Sequence, residues 1–154
     1  MPKIDKHAAP AGAGSRYPAP FDEPCRRRSW RKLGEAVGLT QFGVNLVHLA
    51  PGVWSSQRHW HSHEDEFVYV LSGEVVLVTD KGEEVLHTGD CAGFKAGVKD
   101  GHCLQNRSQQ DVEILVVGSR HEEDHGEYSD IDLIFTAGRY EGKGGFRHKD
   151  GRPY

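Results

Sequence analysis

Three histidines and one glutamate have the types and spacing that best fit chemistry in this chain. His59 and His61 are two positions apart, Glu66 follows them closely, and His102 comes later. Residues i and i+2 of a β-strand share a face, so the first two imidazoles are expected to point the same way. Two imidazoles and a carboxylate suit Zn, Mn, Fe or Ni and leave positions for water or substrate. The pattern predicts one divalent metal ion held by these residues, with His102 as the fourth ligand.

Two alternatives stay open in the same segment. His63 has the same strand parity and could replace His59, which would make His61, His63 and Glu66 the ligands. The histidines could also be exposed residues of a polar loop, and an HxH pair alone would favour that interpretation. Here a carboxylate opens the next strand and glycine-marked hairpins lie on both sides, which favours ligation.

Other polar residues are candidates for contacts with a bound small molecule. Gln57 shares strand parity with His59, and Asn106 lies four residues after His102. These two residues and His63 are the predicted ligand pocket. No catalytic acid or base can be assigned from the sequence.

The elements that must position these residues read as short strands between turns. Phe42, Val44 and Leu46 alternate, and two apolar runs, 66–71 and 74–79, flank a turn at Gly73. Helical periodicity is nearly absent. Strands with frequent turns predict a sandwich or barrel, and a closed jelly roll removes exposed edges. Further strands are expected at 83–87, 91–95, 102–106 and 112–118, with a last one over 131–135.

The ends of the chain differ in composition from its centre. Residues 1–23 are rich in Pro, Ala and Gly and predict a partly disordered N-terminal arm. The barrel is expected over 24–137, and the Gly-rich, basic stretch 138–154 is expected to be a tail. The charge density of the segment 121–128 favours a solvated loop over a metal site.

The composition of the chain limits the kinds of binding partner that are expected. The 154 residues carry a formal charge of −4, so nucleic acid is not an expected partner. No apolar run is long enough to span a bilayer, and the N-terminus lacks the apolar core of a signal peptide. We therefore expect a cytoplasmic protein that interacts with neither membranes nor nucleic acid.

Two groups of residues resemble the two sequence motifs of the cupin superfamily. The first group is Gly52, His59, His61, Glu66 and Gly73, and the second is Gly89, Gly97, His102 and Asn106. Most of the chain is similar to small single-domain bacterial cupins, which often carry the provisional label of sugar-phosphate isomerase. The resemblance implies an all-β fold, the cupin double-stranded β-helix (jelly-roll barrel), and a homodimer.

The residues and the resemblance together favour a metal-dependent enzyme that acts on a small oxygenated molecule. A sugar or sugar phosphate is one such substrate, and isomerisation through an enediolate is the matching reaction. Two alternatives are an Fe(II) dioxygenase and a non-catalytic cupin that binds or senses a small molecule.

Overall fold

The computed structural model describes residues 3–154, and over that range it contains thirteen β-strands and two single-turn 3₁₀ helices. The 3₁₀ helices are Glu23–Cys25 and Glu35–Val37. Neither of these helices is long and apolar enough to cross a membrane. In chain order the strands are β1 (Ala11–Ala13), β2 (Ser29–Lys32), β3 (Phe42–Leu49), β4 (His59–His61), β5 (Glu66–Ser72), β6 (Glu74–Thr79), β7 (Gly82–His87), β8 (Cys91–Phe94), β9 (Cys103–Gln105), β10 (Val112–Ser119), β11 (Gly126–Tyr128), β12 (Ile134–Phe135) and β13 (Phe146–Arg147).

The strands form three antiparallel sheets that together make the barrel. The largest has the order β1-β2-β3-β10-β5-β8, the second β13-β12-β11-β4 and the third β7-β6-β9. Strand β10 lies between β3 and β5, so strands far apart in sequence are neighbours in the sheet. This topology confirms the predicted all-β, double-stranded β-helix class.

The main core lies between the sheets and follows from strand periodicity. Val68 and Val70 of β5 point inward and are buried, whereas Phe67, Tyr69 and Leu71 alternate with them and are exposed. Full burial of each aliphatic side chain contributes about 1.5–3 kcal/mol. The other buried members of this cluster are Leu49, Val53, Val75, Leu77, Leu86, Leu104, Val112 and Ile114.

The β5–β6 hairpin turns at Gly73, as the sequence predicts. Its φ of 83° is in the left-handed region, and a β-carbon there would lie 2.9 Å from the carbonyl oxygen of Asp111. A side chain is excluded at this turn by both conformation and space.

Parts of both predicted terminal segments pair with the barrel. Strand β1 pairs with β2, and β13 pairs with β12. Tyr17 and Phe21 pack on a second cluster formed by Tyr128, Leu133 and Phe135. Residues 1 and 2 of the predicted arm lie outside the described residues, and the division into 1–23, 24–137 and 138–154 stays a prediction.

The predicted strand over 131–135 is wrong in extent. Only Ile134–Phe135 forms a strand, while the amide of Leu133 donates to the carbonyl of Ile131 at 2.9 Å and makes a tight turn. The apolar side chains at 133 and 135 are nevertheless buried. Buried and less buried side chains therefore alternate over 131–135 although these residues do not form a continuous strand.

Strand β11 approaches β4 closely at Gly126, which pairs with His61. A β-carbon at Gly126 would collide with the carbonyl of Trp60 and would lie 2.5 Å from the ring of Phe135. Glycine at this position allows the aromatic ring to pack beside β4.

The substitution Gly126→Ala should therefore destabilise the fold. Overpacking a filled site costs about 1–3 kcal/mol. Urea unfolding of the variant should show a loss of that size. Gly145→Ala is the matched control, because a β-carbon there meets nothing within 4 Å. Equal stabilities for the two variants would contradict the close packing described for Gly126.

Candidate metal centre

Backbone pairing places the four predicted ligands around one point. His59 and His102 face each other across an isolated bridge, in which the His59 amide donates to the His102 carbonyl at 3.1 Å and the His102 amide donates back at 2.9 Å. His61 lies two residues further along β4, on the same face as His59. Glu66 is the first residue of β5. Three separate segments thus direct imidazole or carboxylate groups to one site.

The ligand atoms lie at distances that a single cation can bridge. Nε2 of His59 is 3.1 Å from Nε2 of His61, which is 3.6 Å from Oε2 of Glu66. Nε2 of His102 is 3.8 Å from Oε1 of Glu66. An ion bound at about 2.0–2.2 Å from each ligand requires ligand atoms roughly 3–4 Å apart. The structure brings the ligand atoms of His59, His61 and Glu66 within 4.8 Å of one another, and His102 approaches the same carboxylate without joining that mutually close group.

His102 provides the test of whether these residues fit a metal. Both of its ring nitrogens are buried and have no hydrogen-bond partner among the described residues. Its ring stacks on Phe94 with a centroid separation of 3.6 Å and an angle of 2°, which fixes its orientation. A buried polar atom without a partner costs about 1–3 kcal/mol. A cation at Nε2 would give that atom a partner, so the donor set fits a divalent metal.

The other two histidines have partners on their outer ring nitrogens. Nδ1 of His59 donates to the carbonyl oxygen of Gln57 at 2.9 Å, and Nδ1 of His61 donates to Oδ2 of Asp124 at 2.8 Å. These acceptors fix the tautomer that leaves Nε2 unprotonated and directed to the centre of the site. Sequence reasoning could not name these partners.

Electrostatics favour the ligating forms of His59 and Glu66. Burial, together with the neighbouring His61 and His102, lowers the pKa of His59 to about 3. Burial alone would raise the pKa of Glu66, but its contacts with His102, His59 and His61 outweigh burial and lower it to about 2. At neutral pH the site therefore combines a neutral His59 imidazole with an ionised carboxylate, as metal binding requires.

Asp124 lies in the segment that was predicted to be a solvated loop, and for this residue the prediction is wrong. Its side chain is fully buried and also accepts a hydrogen bond from the amide of His63 at 2.9 Å. Burial raises its pKa, but the contacts with His61, His63 and Arg139 outweigh burial and lower it to about 2. The charge density of the segment gave no sign that one carboxylate would turn inward.

A second acidic group adjoins the first, formed by His61, Glu64 and Asp124. A guanidinium already bridges its two carboxylates, because Nη2 of Arg139 lies 2.6 Å from Oε2 of Glu64 and 2.7 Å from Oδ2 of Asp124. This positive charge makes the second group an unsuitable place for a cation. The first group is therefore the candidate metal centre.

The predicted pocket residues have different surroundings. Gln57 is buried, and its side-chain amide donates to the carbonyl of Phe21 at 2.7 Å, which ties the N-terminal segment to the site. His63 is exposed and stacks on His121 with centroids 4.8 Å apart, so the alternative ligand set with His63 does not form. A contact between Gln57 and a ligand stays a prediction.

Asn106 holds a loop instead of facing the pocket. Its Nδ2 donates to the carbonyls of Leu49 and Gln110 at 2.8 and 2.7 Å, and its Oδ1 accepts from the amide of Ser108 at 3.0 Å. Strand β9 ends at Gln105, so counting four strand positions from His102 does not apply. The polar atoms of Asn106 are used within the protein.

Aromatic rings form one wall of the site. The ring of Tyr128 lies 5.5 Å from that of His59, and the ring of Phe135 lies 5.1 Å from that of His61. Tyr17 of the N-terminal segment packs edge-on against Tyr128 at 5.3 Å. Burial raises the pKa of both tyrosines, so they are neutral phenols at pH 7.

Comparison with known proteins places this barrel in a family. Residues 45–118 match the model of the cupin domain. A crystal structure described as a sugar phosphate isomerase from a cupin superfamily, from Silicibacter pomeroyi, is 43% identical, with 99% of this chain and 96% of that chain covered and a TM-score of 0.94. The chain belongs to the cupin superfamily.

Two further solved structures are similar. One, provisionally described as a sugar phosphate isomerase, comes from Acidithiobacillus ferrooxidans; it is 28% identical, with 83% of this chain and 80% of that chain covered and a TM-score of 0.75. The polyketide cyclase RemF from Streptomyces resistomycificus is 23% identical over 77% of this chain and 79% of its own, with a TM-score of 0.61, and shares the fold. No curated protein matches the chain.

The lowered pKa of His59 predicts a pH dependence of stability. The unfolded chain protonates this residue near the ordinary pKa of 6.5, whereas the folded chain does so near 3, so protons favour the unfolded state between these values. In the metal-free protein, the free energy of unfolding should fall by about 1.4 kcal/mol per pH unit at this site as pH decreases from 6.5. Glu66 contributes stability that is lost only below its ordinary pKa of 4.5.

Urea unfolding in the presence of a chelator, at pH values between 6.5 and 4.5, isolates the histidine effect. His59→Gln should flatten the slope. His87→Gln, which changes an exposed histidine, should leave it unchanged. Equal slopes for wild type and His59→Gln would contradict the assigned neutral state of His59.

Proposed function

We propose that this cupin is a metal-dependent enzyme that acts on a small oxygenated molecule, with a sugar phosphate as the substrate class and isomerisation as the reaction. The observation that carries the proposal is the cluster of His59, His61 and Glu66, whose ligand atoms all lie within 4.8 Å of one another. His102 faces the same glutamate, and both of its ring nitrogens are unpartnered among the described residues. Similarity to a protein described as a sugar phosphate isomerase supports the substrate class.

In this proposal His59, His61, Glu66 and His102 hold one divalent ion, which is Zn, Mn, Fe or Ni. When bound, such an ion polarises a carbonyl or hydroxyl oxygen and stabilises the negative charge that develops on it. The aromatic wall covers the rings of His59 and His61 on one side, and this apolar surface strengthens electrostatic interactions beside it. The outer hydrogen bonds at Nδ1 keep His59 and His61 oriented during turnover.

Metal reconstitution followed by an activity assay tests this function. Purified protein would be stripped with a chelator, loaded separately with Zn, Mn, Ni or, without oxygen, Fe(II), and incubated with aldose and ketose phosphates monitored by NMR. We expect metal-dependent interconversion of at least one pair. His61→Ala should lower both bound metal and rate more than about 100-fold, because it removes a ligand itself. His63→Ala, which changes a neighbouring exposed histidine, should retain both.

Other outcomes would replace this function with a named alternative. Oxygen consumption by the iron-loaded protein with cleavage of the substrate would favour an Fe(II) dioxygenase. Saturable binding of a sugar phosphate without turnover under any metal would favour a non-catalytic binding or sensing cupin. Full metal content in His61→Ala would contradict the metal centre.

A homodimer is the second part of the proposal, and the outer face of the six-stranded sheet supports it. Phe67, Tyr69 and Leu71 are each about 40% exposed on one side of β5. Leu115 and Val117 of β10 pair with Tyr69 and Phe67 and share that face. Contiguous exposed apolar surface is uncommon on monomers, and a second copy with two-fold symmetry would cover it.

Light scattering coupled to gel filtration should give twice the chain mass of 17.1 kDa. Phe67→Glu should reduce the mass to that of one chain, because it would bury two like charges across the symmetry axis. The control Val85→Glu changes an exposed apolar residue on another sheet and should leave the mass unchanged. A wild-type mass of one chain would contradict the dimer.

A further inference from the structure

We propose that Arg139 is a positioning residue for the metal ligand His61, and that it acts through the buried carboxylates of Asp124 and Glu64. The inference rests on the proposed metal centre. It assigns a role in that centre to a residue of the C-terminal segment that the sequence predicts to be a tail.

The connection is a short chain of hydrogen-bonded groups. Oδ2 of Asp124 accepts from Nδ1 of His61 at 2.8 Å and from Nη2 of Arg139 at 2.7 Å. The same Nη2 donates to Oε2 of Glu64 at 2.6 Å. The side chains of Asp124 and Glu64 are 0% and 7% exposed and that of Arg139 is 29% exposed, so water screens these interactions less than it screens a surface ion pair.

The arginine decides which carboxylate orients His61. Oε2 of Glu64 lies 3.9 Å from Nδ1 of His61, too far for a hydrogen bond but close enough to compete with Asp124 after a small movement. Arg139 holds Glu64 away from that nitrogen, together with the amide of His121, which donates to Oε1 of Glu64 at 2.9 Å. The guanidinium charge also offsets part of the repulsion between the two carboxylates. Without it, two buried like charges would lie beside one imidazole, and the ring could turn toward either.

Arg139 also contacts the aromatic ring that packs on His61. Its guanidinium lies 4.6 Å from the centroid of Phe135, whose ring is 5.1 Å from that of His61. Arg139 therefore contacts both groups that orient the ligand, the carboxylate at the edge of the imidazole and the phenyl ring beside it.

The backbone around Arg139 is held in a tight turn. The carbonyl of Gly138 accepts hydrogen bonds from the amides of Glu141, Lys143 and Gly144, and the Gly138 amide donates to the carbonyl of Glu122 at 2.9 Å. The last bond ties the turn to the segment that carries Asp124. The two ends of the ion pair are thus fixed relative to each other.

Co(II) binding to full-length protein tests the inference, because Co(II) reports both affinity and ligand geometry through its visible absorption. Arg139→Met should weaken Co(II) binding by about 10-fold, the lower end of the usual effect of a residue that orients a ligand, and should change the absorption spectrum. Arg139→Lys should recover part of the affinity. Adding Glu64→Gln to Arg139→Met should also recover affinity, because it removes the competing anion.

Arg107→Met is the matched control. The side chain of Arg107 makes a bidentate ion pair with Glu83 and donates to Oε1 of Gln105, and it hydrogen-bonds none of the predicted metal ligands. Its loss should leave affinity and spectrum unchanged. Affinities are measured per folded protein, so a merely structural role of Arg139 would lower the melting temperature without changing them.

The outcomes separate this inference from the proposed function. Wild-type Co(II) affinity and spectrum in folded Arg139→Met would overturn the positioning role and leave the metal centre intact. If Arg139→Met does not fold, Arg139→Lys replaces it as the test: Co(II) binding weaker than wild type with a changed spectrum supports the role, and wild-type affinity and spectrum overturn it. Failure of wild type to bind Co(II), or equal binding by His61→Ala, would overturn both the metal centre and this inference.

Discussion

The rest of the site depends on one constraint: three imidazoles and a carboxylate are buried together, and buried polar atoms need partners. The fold supplies an acceptor for the outer ring nitrogens of His59 and His61 but for neither ring nitrogen of His102. A backbone carbonyl serves His59, a buried carboxylate serves His61, and Phe94 packs along the ring of His102. The inner nitrogens are left facing Glu66 at distances too long for good hydrogen bonds and suitable for shared ligation. The geometry is costly as a network of side chains alone and becomes favourable around a cation.

Strand pairing positions the ligand side chains around the site, so that none of them has to extend far from its backbone. The two-residue period of β4 puts His59 and His61 on one face, and the bridge between His59 and His102 sets a second strand segment opposite them. Gly126 then lets β11 and Phe135 lie close to β4. Backbone hydrogen bonds between strands therefore hold each ligand in place. A ligand on an unpaired loop would be more mobile.

Local patterns predicted the fold class and the ligand set because both depend on short spacings. The hairpin at Gly73, the HxH pair and the strand that opens at Glu66 are all visible within ten or so residues. Asp124 and Arg139 were missed because tertiary packing brings them to the site from segments whose composition resembles solvent-exposed chain. Asn106 was misplaced for the opposite reason: strand parity was extended past the end of β9, where the chain turns and the amide is needed for the loop.

The candidate metal ligands and the residues that surround them come from different parts of the chain, and this difference bears on substrate choice. The segment that matches the cupin domain, 45–118, contains all four candidate ligands. Tyr17, Tyr128, Phe135 and Arg139, which shape the wall and orient a ligand, all lie outside it. A cation held by the common segment can serve many reactions, because the chemistry it supplies is general. The side chains around the site decide which molecule enters it and in which orientation, and here these side chains flank the segment 45–118 on both sides. Changes in these flanking residues should therefore alter which molecules bind while the four candidate ligands stay constant.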